Sequence, residues 1–227
     1  MRTPRSLVIV LVLAACRGAP APPARPAADS APAPAPAAAP DARPAILFIG
    51  TSLTAGLGLE PGQSYPDVIA RRLDSLGVKY EVVNAGVSGE TSADARRRLG
   101  WLLRRPYAVI VVETGANDGL RGLSVDSMRA NIQAIIDTIR AREPAARLVL
   151  VGMEAPPNMS TRYTAEFRKV FPELAKANGV TYLPFPLAGV AGIDSLNQAD
   201  GIHPNRRGAE LVAANVMKVL LPMLDGR

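Results

Sequence analysis

The 227-residue chain contains a single histidine, His203, so any step that needs an imidazole must use it. It lies in Asp200-Gly201-Ile202-His203-Pro204, three residues after a carboxylate. That spacing lets Asp200 reach one ring nitrogen within a turn and leaves the other free to face a nucleophile. A serine hydroxyl is a weak nucleophile until a base removes its proton. Ser52, in Gly50-Thr51-Ser52-Leu53, is the candidate, giving the order Ser…Asp…His for a triad of the acyl-transfer kind. An Asp-x-x-His pair can also be a loop closed by a local hydrogen bond. Chemistry is favoured because the histidine stands alone and because Pro204 places it at a helix start. One histidine cannot build a multi-histidine metal site, and one cysteine, Cys16, excludes thiolate zinc sites and an intrachain disulfide. Gly56-Leu57-Gly58 lacks the spacing of a dinucleotide or Walker loop. No cofactor and no metal are expected.

These residues need a scaffold that brings positions 52 and 203 together. Ala45 to Ile49 is a short apolar run stopped by Gly50, the pattern of a buried strand. The helix after it has Ser64 as cap, Pro66 in its first turn and Asp67 at capping-box spacing, with Val68, Ile69, Leu73 and Leu76 as its apolar stripe. Val78 to Val83 reads as a strand and Ser92 to Arg104 as a helix. Ala108 to Val112 has no polar alternation, as expected of a strand covered on both faces. Ser124 caps a long helix with Met128, Ile132, Ile135, Ile136 and Ile139 at helical period. A strand at Leu148 to Val151, a helix at Tyr163 to Ala177 interrupted by Pro172, and a strand at Val180 to Leu183 follow. Arg207 to Leu224 closes the chain as a helix with Leu211, Val212, Val216 and Leu220 inward.

Strands alternating with helices imply parallel pairing through right-handed crossovers. The expected fold is α/β, a flavodoxin-like three-layer α/β/α sandwich with a five-stranded, mostly parallel sheet. Ligands of such sheets bind beyond the carboxyl ends of the strands. Gly50-Thr51-Ser52-Leu53, Asn84-Ala85-Gly86 and Gly115-Ala116-Asn117-Asp118 each follow a strand, and Asp200 to Pro204 precedes the last helix.

With all four blocks in order, the chain from Ile46 onward resembles the SGNH, or GDSL-like, hydrolase family. Asn117 to Gly122 and Asp200 to Asn205 are similar to its thioesterase I, arylesterase and lysophospholipase L1 branch. The resemblance implies a serine ester hydrolase working through an acyl-Ser52 intermediate, with a small acyl ester, acyl thioester or lysophospholipid as substrate. It assigns the oxyanion hole to the backbone N–H groups of Ser52 and Gly86 and the side-chain amide of Asn117. One such donor is typically worth about 2.7–4 kcal/mol in the transition state. Gly86 reads equally well as a turn glycine. The family pattern has Asp immediately before the serine, where this chain has Thr51. A threonine hydroxyl there is expected to accept hydrogen bonds from the loops bearing Gly86 and Asn117. Glu113, at a strand end, is a candidate buried partner for loop amides, and Glu154 a candidate pocket wall. Ser88 and Ser92 read as turn and cap residues. The serine block is not G-x-S-x-G, so the α/β-hydrolase fold is not supported.

The N-terminal segment has a different character. Arg2 and Arg5 precede the apolar run Leu7 to Ala15, which is too short to span a membrane. Leu13-Ala14-Ala15-Cys16 resembles the lipobox of bacterial lipoproteins, in which the cysteine is acylated after cleavage before it. From Arg17 to Pro44 the chain is almost entirely Ala and Pro, residues that form neither helix nor ladder there and give an extended spacer. The expected organisation is a signal peptide at 1–15, a lipidated Cys16 and linker at 16–44, and an esterase domain at 45–227. That places the protein in the periplasm, anchored to the outer membrane by its lipid. The net charge of +6 is scattered over helix faces and aromatics are 4% of the chain, so no nucleic-acid partner is expected. A monomer is expected. Two other readings compete: a cell-envelope carbohydrate deacetylase, and a non-catalytic surface-binding lipoprotein. Deleting Ala19 to Pro40 is expected to leave hydrolysis of soluble esters and the melting temperature unchanged. A drop of more than about 4 °C in a thermal melt would show that the segment docks on the domain.

Overall fold

Every residue of β1 (Ala45–Gly50) is buried, as its unbroken apolar run requires. A computed structural model describes residues 43–224 of the chain. Cys16 and the expected signal peptide lie outside the described residues, as does all but the end of the linker. After β1 come α1 (Ser52–Ala55), α2 (Tyr65–Ser75), β2 (Glu81–Gly86), α3 (Ser92–Leu102), β3 (Val109–Glu113), α4 (Ala116–Leu120) and α5 (Val125–Arg142). β4 (Arg147–Val151), α6 (Thr161–Asn178), β5 (Thr181–Leu183) and α7 (Arg206–Leu220) complete the order. All the strand pairs are parallel, in the order β2-β1-β3-β4-β5. The sheet is thus five-stranded and wholly parallel.

Alternation along the strands builds two cores. Leu47, Ile49, Ile110, Val112 and Leu150 face one side, where α3, α5 and α6 bury Leu99, Ile132, Ile136 and Phe171. Ile46, Phe48, Val109, Val111 and Val149 face the other, where α2 and α7 bury Ile69, Leu73, Val212 and Val216. A fully buried aliphatic or aromatic side chain of this kind contributes about 1.5–3 kcal/mol relative to exposure. Two residues of the expected apolar stripes stay outside. Leu76 is the C-cap of α2, and Leu211 lies on the outer face of α7; both are exposed. Pro172 does not interrupt α6, which runs through it.

The ends of the elements follow local chemistry. Ser64 accepts the Asp67 amide at the start of α2, and Ser124 accepts the Ser127 amide at the start of α5. Thr91, rather than Ser92, caps α3 and forms a reciprocal box with Asp94. The chain leaves β1 toward β2 on one side and returns to β3 on the other. The sheet order therefore reverses between β1 and β3, and a crevice opens above their carboxyl ends.

At that edge β2 meets α1 at backbone distance. A Cβ on Gly86 would lie 2.2 Å from the Ala55 nitrogen. A side chain cannot be accommodated without moving the helix that carries Ser52. Gly86→Ala is therefore expected to lower stability by about 1–3 kcal/mol in denaturant unfolding, the range for an overpacked site. An unchanged midpoint would show that α1 yields freely.

Candidate active site

β1 passes directly into α1, which makes Ser52 the first residue of a helix. Its N–H is one of the leading amides that have no partner inside a helix. α1 lasts four residues and ends at Gly56, whose amide closes onto the carbonyls of Ser52 and Leu53. Asn84 ties the turn to β2: its side-chain amide donates to the Thr54 carbonyl at 2.8 Å and to Ser64 Oγ at 3.2 Å. Neither α1 nor α4 carries enough residues for a periodic signal in the sequence.

His203 Nε2 lies 2.8 Å from Ser52 Oγ, and His203 Nδ1 lies 2.7 Å from Asp200 Oδ2. Asp200 Oδ1 also accepts the backbone N–H groups of His203, at 3.0 Å, and Ile202, at 2.9 Å. The His203 amide, then the His203 ring and the Ile202 amide, hold the Asp200 carboxyl down at about 2. Above that pH Asp200 is an acceptor only, so a neutral His203 carries its proton on Nδ1 and turns a free lone pair toward Ser52. Because the folded value is depressed, the stability these bonds add is present above the unfolded carboxylate value of about 3.9 and is lost as pH falls toward 2. The loop is pinned from behind. The Gln198 amide donates to the His203 carbonyl at 2.8 Å, and Gln198 Nε2 donates to Leu57 O at 2.7 Å and Pro204 O at 3.0 Å.

The expected oxyanion donors fare differently. Asn117, on α4, donates one side-chain N–H to the Glu90 carbonyl at 2.9 Å and keeps a second N–H for a ligand. It lines the same cleft as Ser52 and His203. Asp118 holds α4 in place by accepting the Ser92 amide at 2.8 Å and the Ser92 hydroxyl at 2.6 Å. Gly86 does not fit its expected role. Its N–H already donates to Asn84 Oδ1 at 2.9 Å, its backbone is packed on Ala55, and the cleft does not reach it. Gly89, three residues on, does line the cleft, and Arg121 Nη2 holds its carbonyl at 2.7 Å. The signal for it was the Thr91 capping box, which places the approach to α3, not the strand end, beside α4.

Thr51 also differs from its expected role. It accepts nothing from the neighbouring loops. Its N–H donates to Glu113 Oε2 at 2.8 Å and its hydroxyl to Glu113 Oε1 at 2.9 Å. Thr54 Oγ1 donates to Glu113 Oε2 at 2.9 Å and lies 2.7 Å from the Tyr65 hydroxyl. Thr51 and Glu113 are each only 1% exposed. Burial pushes the Glu113 carboxyl up, opposed by the bonds from Thr51 and Thr54, and burial together with the Glu113 charge pushes the Tyr65 hydroxyl up.

Above these groups lies a cleft of about 460 Å³, walled largely by apolar side chains that include Leu57, Leu120, Met153, Phe185 and Ile202. That is the volume of a small-molecule site. Glu154, its one charged wall residue, is paired with Arg168 at 2.8 Å. Among the described residues no group of three or more His, Cys, Asp or Glu side chains could hold a metal ion.

A parallel α/β/α sandwich carrying a hydrogen-bonded Ser-His-Asp set at the carboxyl edge of its sheet has the make-up of a serine hydrolase. Residues 48–211 match the GDSL-like Lipase/Acylhydrolase family, and the chain belongs to that family. It is 37% identical over 184 residues to the esterase TesA of Pseudomonas aeruginosa, covering 81% of this chain and 90% of the relative. It is 34% identical over 185 residues to thioesterase 1/protease 1/lysophospholipase L1 of Escherichia coli K12, covering 81% and 86%. The crystal structure of the psychrotrophic esterase EstA from Pseudoalteromonas matches with a TM-score of 0.75 at 30% identity, over 80% of this chain and 99% of that one. The chain is a carboxylic ester hydrolase of the SGNH type.

Asp200→Asn would keep the base but offer Nδ1 an amide in place of a carboxylate. It is expected to lower kcat by about ten-thousandfold, less than loss of His203 itself. Steady-state kinetics of the two variants side by side would check the order; an Asp200→Asn enzyme at wild-type rate would remove the carboxylate from the mechanism.

Proposed function

We propose that the protein hydrolyses small esters with apolar acyl groups through an acyl-Ser52 intermediate. The observation that carries this reading is the 2.8 Å approach of His203 Nε2 to Ser52 Oγ at the edge of an apolar cleft. Ser52 Oγ attacks the carbonyl carbon while its proton passes to Nε2. The carbonyl oxygen becomes an oxyanion within reach of the Ser52 N–H, the free Asn117 N–H and, in place of Gly86, the Gly89 N–H. The intermediate collapses, the leaving alcohol or thiol takes the proton from His203, and the acyl group stays on Ser52. Water then attacks the acyl carbon with His203 as base, releasing the acid and restoring the hydroxyl. Asp200 remains ionised throughout and stabilises the imidazolium formed in each half.

The cleft supports the substrate class. Leu57, Leu120 and Ile202 line it and are also 45%, 47% and 50% exposed, so an apolar path leads from solvent to Ser52. Acyl esters, acyl thioesters and lysophospholipids all present such a chain. A sugar acetate would need polar walls, and the one charged wall residue, Glu154, is already paired, so the deacetylase reading draws no support here. A binding-only lipoprotein has no need of an aligned serine, histidine and carboxylate. The sequence of the N-terminal segment supports export, cleavage after residue 15 and a lipid on Cys16, with 16–44 as tether to the outer membrane and 45–227 as a monomeric catalytic domain.

Ser52→Ala and His203→Ala are each expected to reduce ester hydrolysis by at least about a thousandfold, because such residues fail as a unit. A fluorophosphonate probe should label the wild type at Ser52 and neither variant. Activity should fall on the acid side, because the imidazole can accept the serine proton only in its neutral form. Retention of a tenth of the activity in His203→Ala would overturn the mechanism, as would a rate flat down to about pH 4.

A further inference from the structure

We infer that Glu113 is a positioning residue for the nucleophile: its buried carboxyl, supplied by the neighbouring strand, sets the turn that presents Ser52. The inference rests on Ser52 being the nucleophile. Three donors converge on this one group, and all come from the five residues around Ser52. The Thr51 N–H reaches Oε2 at 2.8 Å, the Thr51 hydroxyl reaches Oε1 at 2.9 Å, and the Thr54 hydroxyl reaches Oε2 at 2.9 Å. They therefore flank the serine on both sides. Thr51 fixes the last peptide before it and Thr54 fixes the helix after it.

The position of the Ser52 N–H and of its Oγ both follow from that turn. Among the described residues no other carboxyl bonds to the turn, and the residue before the serine is Thr51. The space is also closed. A Cβ on Gly50 would lie 1.9 Å from Thr54 Oγ1 and 2.7 Å from Glu113 Oε2, so no water-sized gap separates the carboxyl from the turn. Among the described residues, the one titratable group joined to the cluster from another element is Tyr65 on α2, through Thr54. Glu113 touches neither the cleft nor the reacting atoms, so it acts through Ser52 and not on the substrate.

A purely architectural carboxyl and a positioning one differ in what their variants do to folded enzyme. Glu113→Leu removes all the acceptors, and the expected result is a fall of about a hundredfold in kcat and in the rate of fluorophosphonate labelling at Ser52, as for an ångström of misplacement. KM should change by less than about threefold, because the cleft is untouched. Glu113→Gln keeps one oxygen for the Thr51 N–H and should recover kcat to within about tenfold of wild type. Thr51→Asp sets a second carboxyl against Glu113, and a close pair of this kind must share a proton. That variant should differ from the wild type in the pH profile of kcat, with an added limb where the shared proton leaves.

Rates are taken per folded molecule, with the folded fraction from circular dichroism. If Glu113→Leu does not fold, Glu113→Gln and Thr51→Asp decide. The inference is overturned if folded Glu113→Leu labels at the wild-type rate, if Glu113→Gln loses as much as Ser52→Ala, or if Thr51→Asp shows the wild-type pH profile. Failure of the wild type to label at Ser52 would instead overturn the proposed function.

Discussion

A hydroxyl and an imidazole 151 residues apart in the chain must be held at hydrogen-bond distance, and the rest of the architecture serves that requirement. A wholly parallel sheet delivers every strand end to one edge, and the reversal of order between β1 and β3 opens the crevice there. Ser52 and Asn117 reach the crevice within a few residues of their strands. His203 does not, because it lies twenty residues beyond the last residue of β5, in a connection longer than compact domains usually carry without a functional reason. That connection is ordered from within. Asn197 Nδ2 donates to Val190 O at 2.7 Å and Ile193 O at 2.9 Å, and Asn197 pairs with Pro204 as an antiparallel bridge. Gln198 then ties it to the Leu57 carbonyl, on the serine side of the cleft. The histidine is placed by hydrogen bonds within its own connection and to Leu57, the serine by the end of β1.

The loop from Gly89 to Ser92 is held as firmly. It is fastened to α4 by Asn117 on the Glu90 carbonyl, by Asp118 on Ser92 and by Arg121 on the Gly89 carbonyl. Arg98 secures it to β2, donating to Glu90 Oε2 at 2.6 Å and to Ala85 O at 2.7 Å. A single hydrogen bond of this kind adds about 0.5–1.5 kcal/mol to stability, whereas an oxyanion donor in register is worth about 2.7–4 kcal/mol in the transition state. On the proposed role of Asn117 and Gly89 as oxyanion donors, each fastening matters more through the register it keeps than through the stability it adds.

What could be read from the sequence follows from where the information is local. β1, β3 and β4 are short apolar runs, the long helices carry a 3.6 period with Ser64 and Ser124 as caps, and the Asp200–His203 pair is three residues apart. All of these are visible within a few residues. β2, by contrast, lies three residues later than Val78 to Val83 and takes in Asn84 to Gly86. The sequence does not fix the part played by Gly86, because a glycine at a strand end looks the same whether it donates to a ligand or lets a helix approach. Only the distance to Ala55 separates the two. The sequence points Thr51 at nearby loops because its partner, Glu113, is 62 residues away, and only the pairing of β1 beside β3 makes them neighbours. Leu76 and Leu211 keep helical period yet sit at a helix end and on an outer face. Periodicity gives a stripe but not how wide a stripe the sheet will cover.

The two carboxyls nearest the serine show how one functional group takes opposite parts. Asp200 is 44% exposed on its side chain and held near 2 by backbone and ring N–H groups; Glu113 is 1% exposed and pushed up by burial. The His203 side chain, 17% exposed, sits with the first. Each half of an acyl-transfer cycle moves a proton through the imidazole, and deacylation needs a water beside it, so that side of the site must stay open to solvent. The serine turn has the contrary need. Its donors must not relax toward water, and a low-dielectric setting strengthens the bonds that hold them. The site is open to solvent at Asp200 and buried at Glu113, and Ser52 lies between the two.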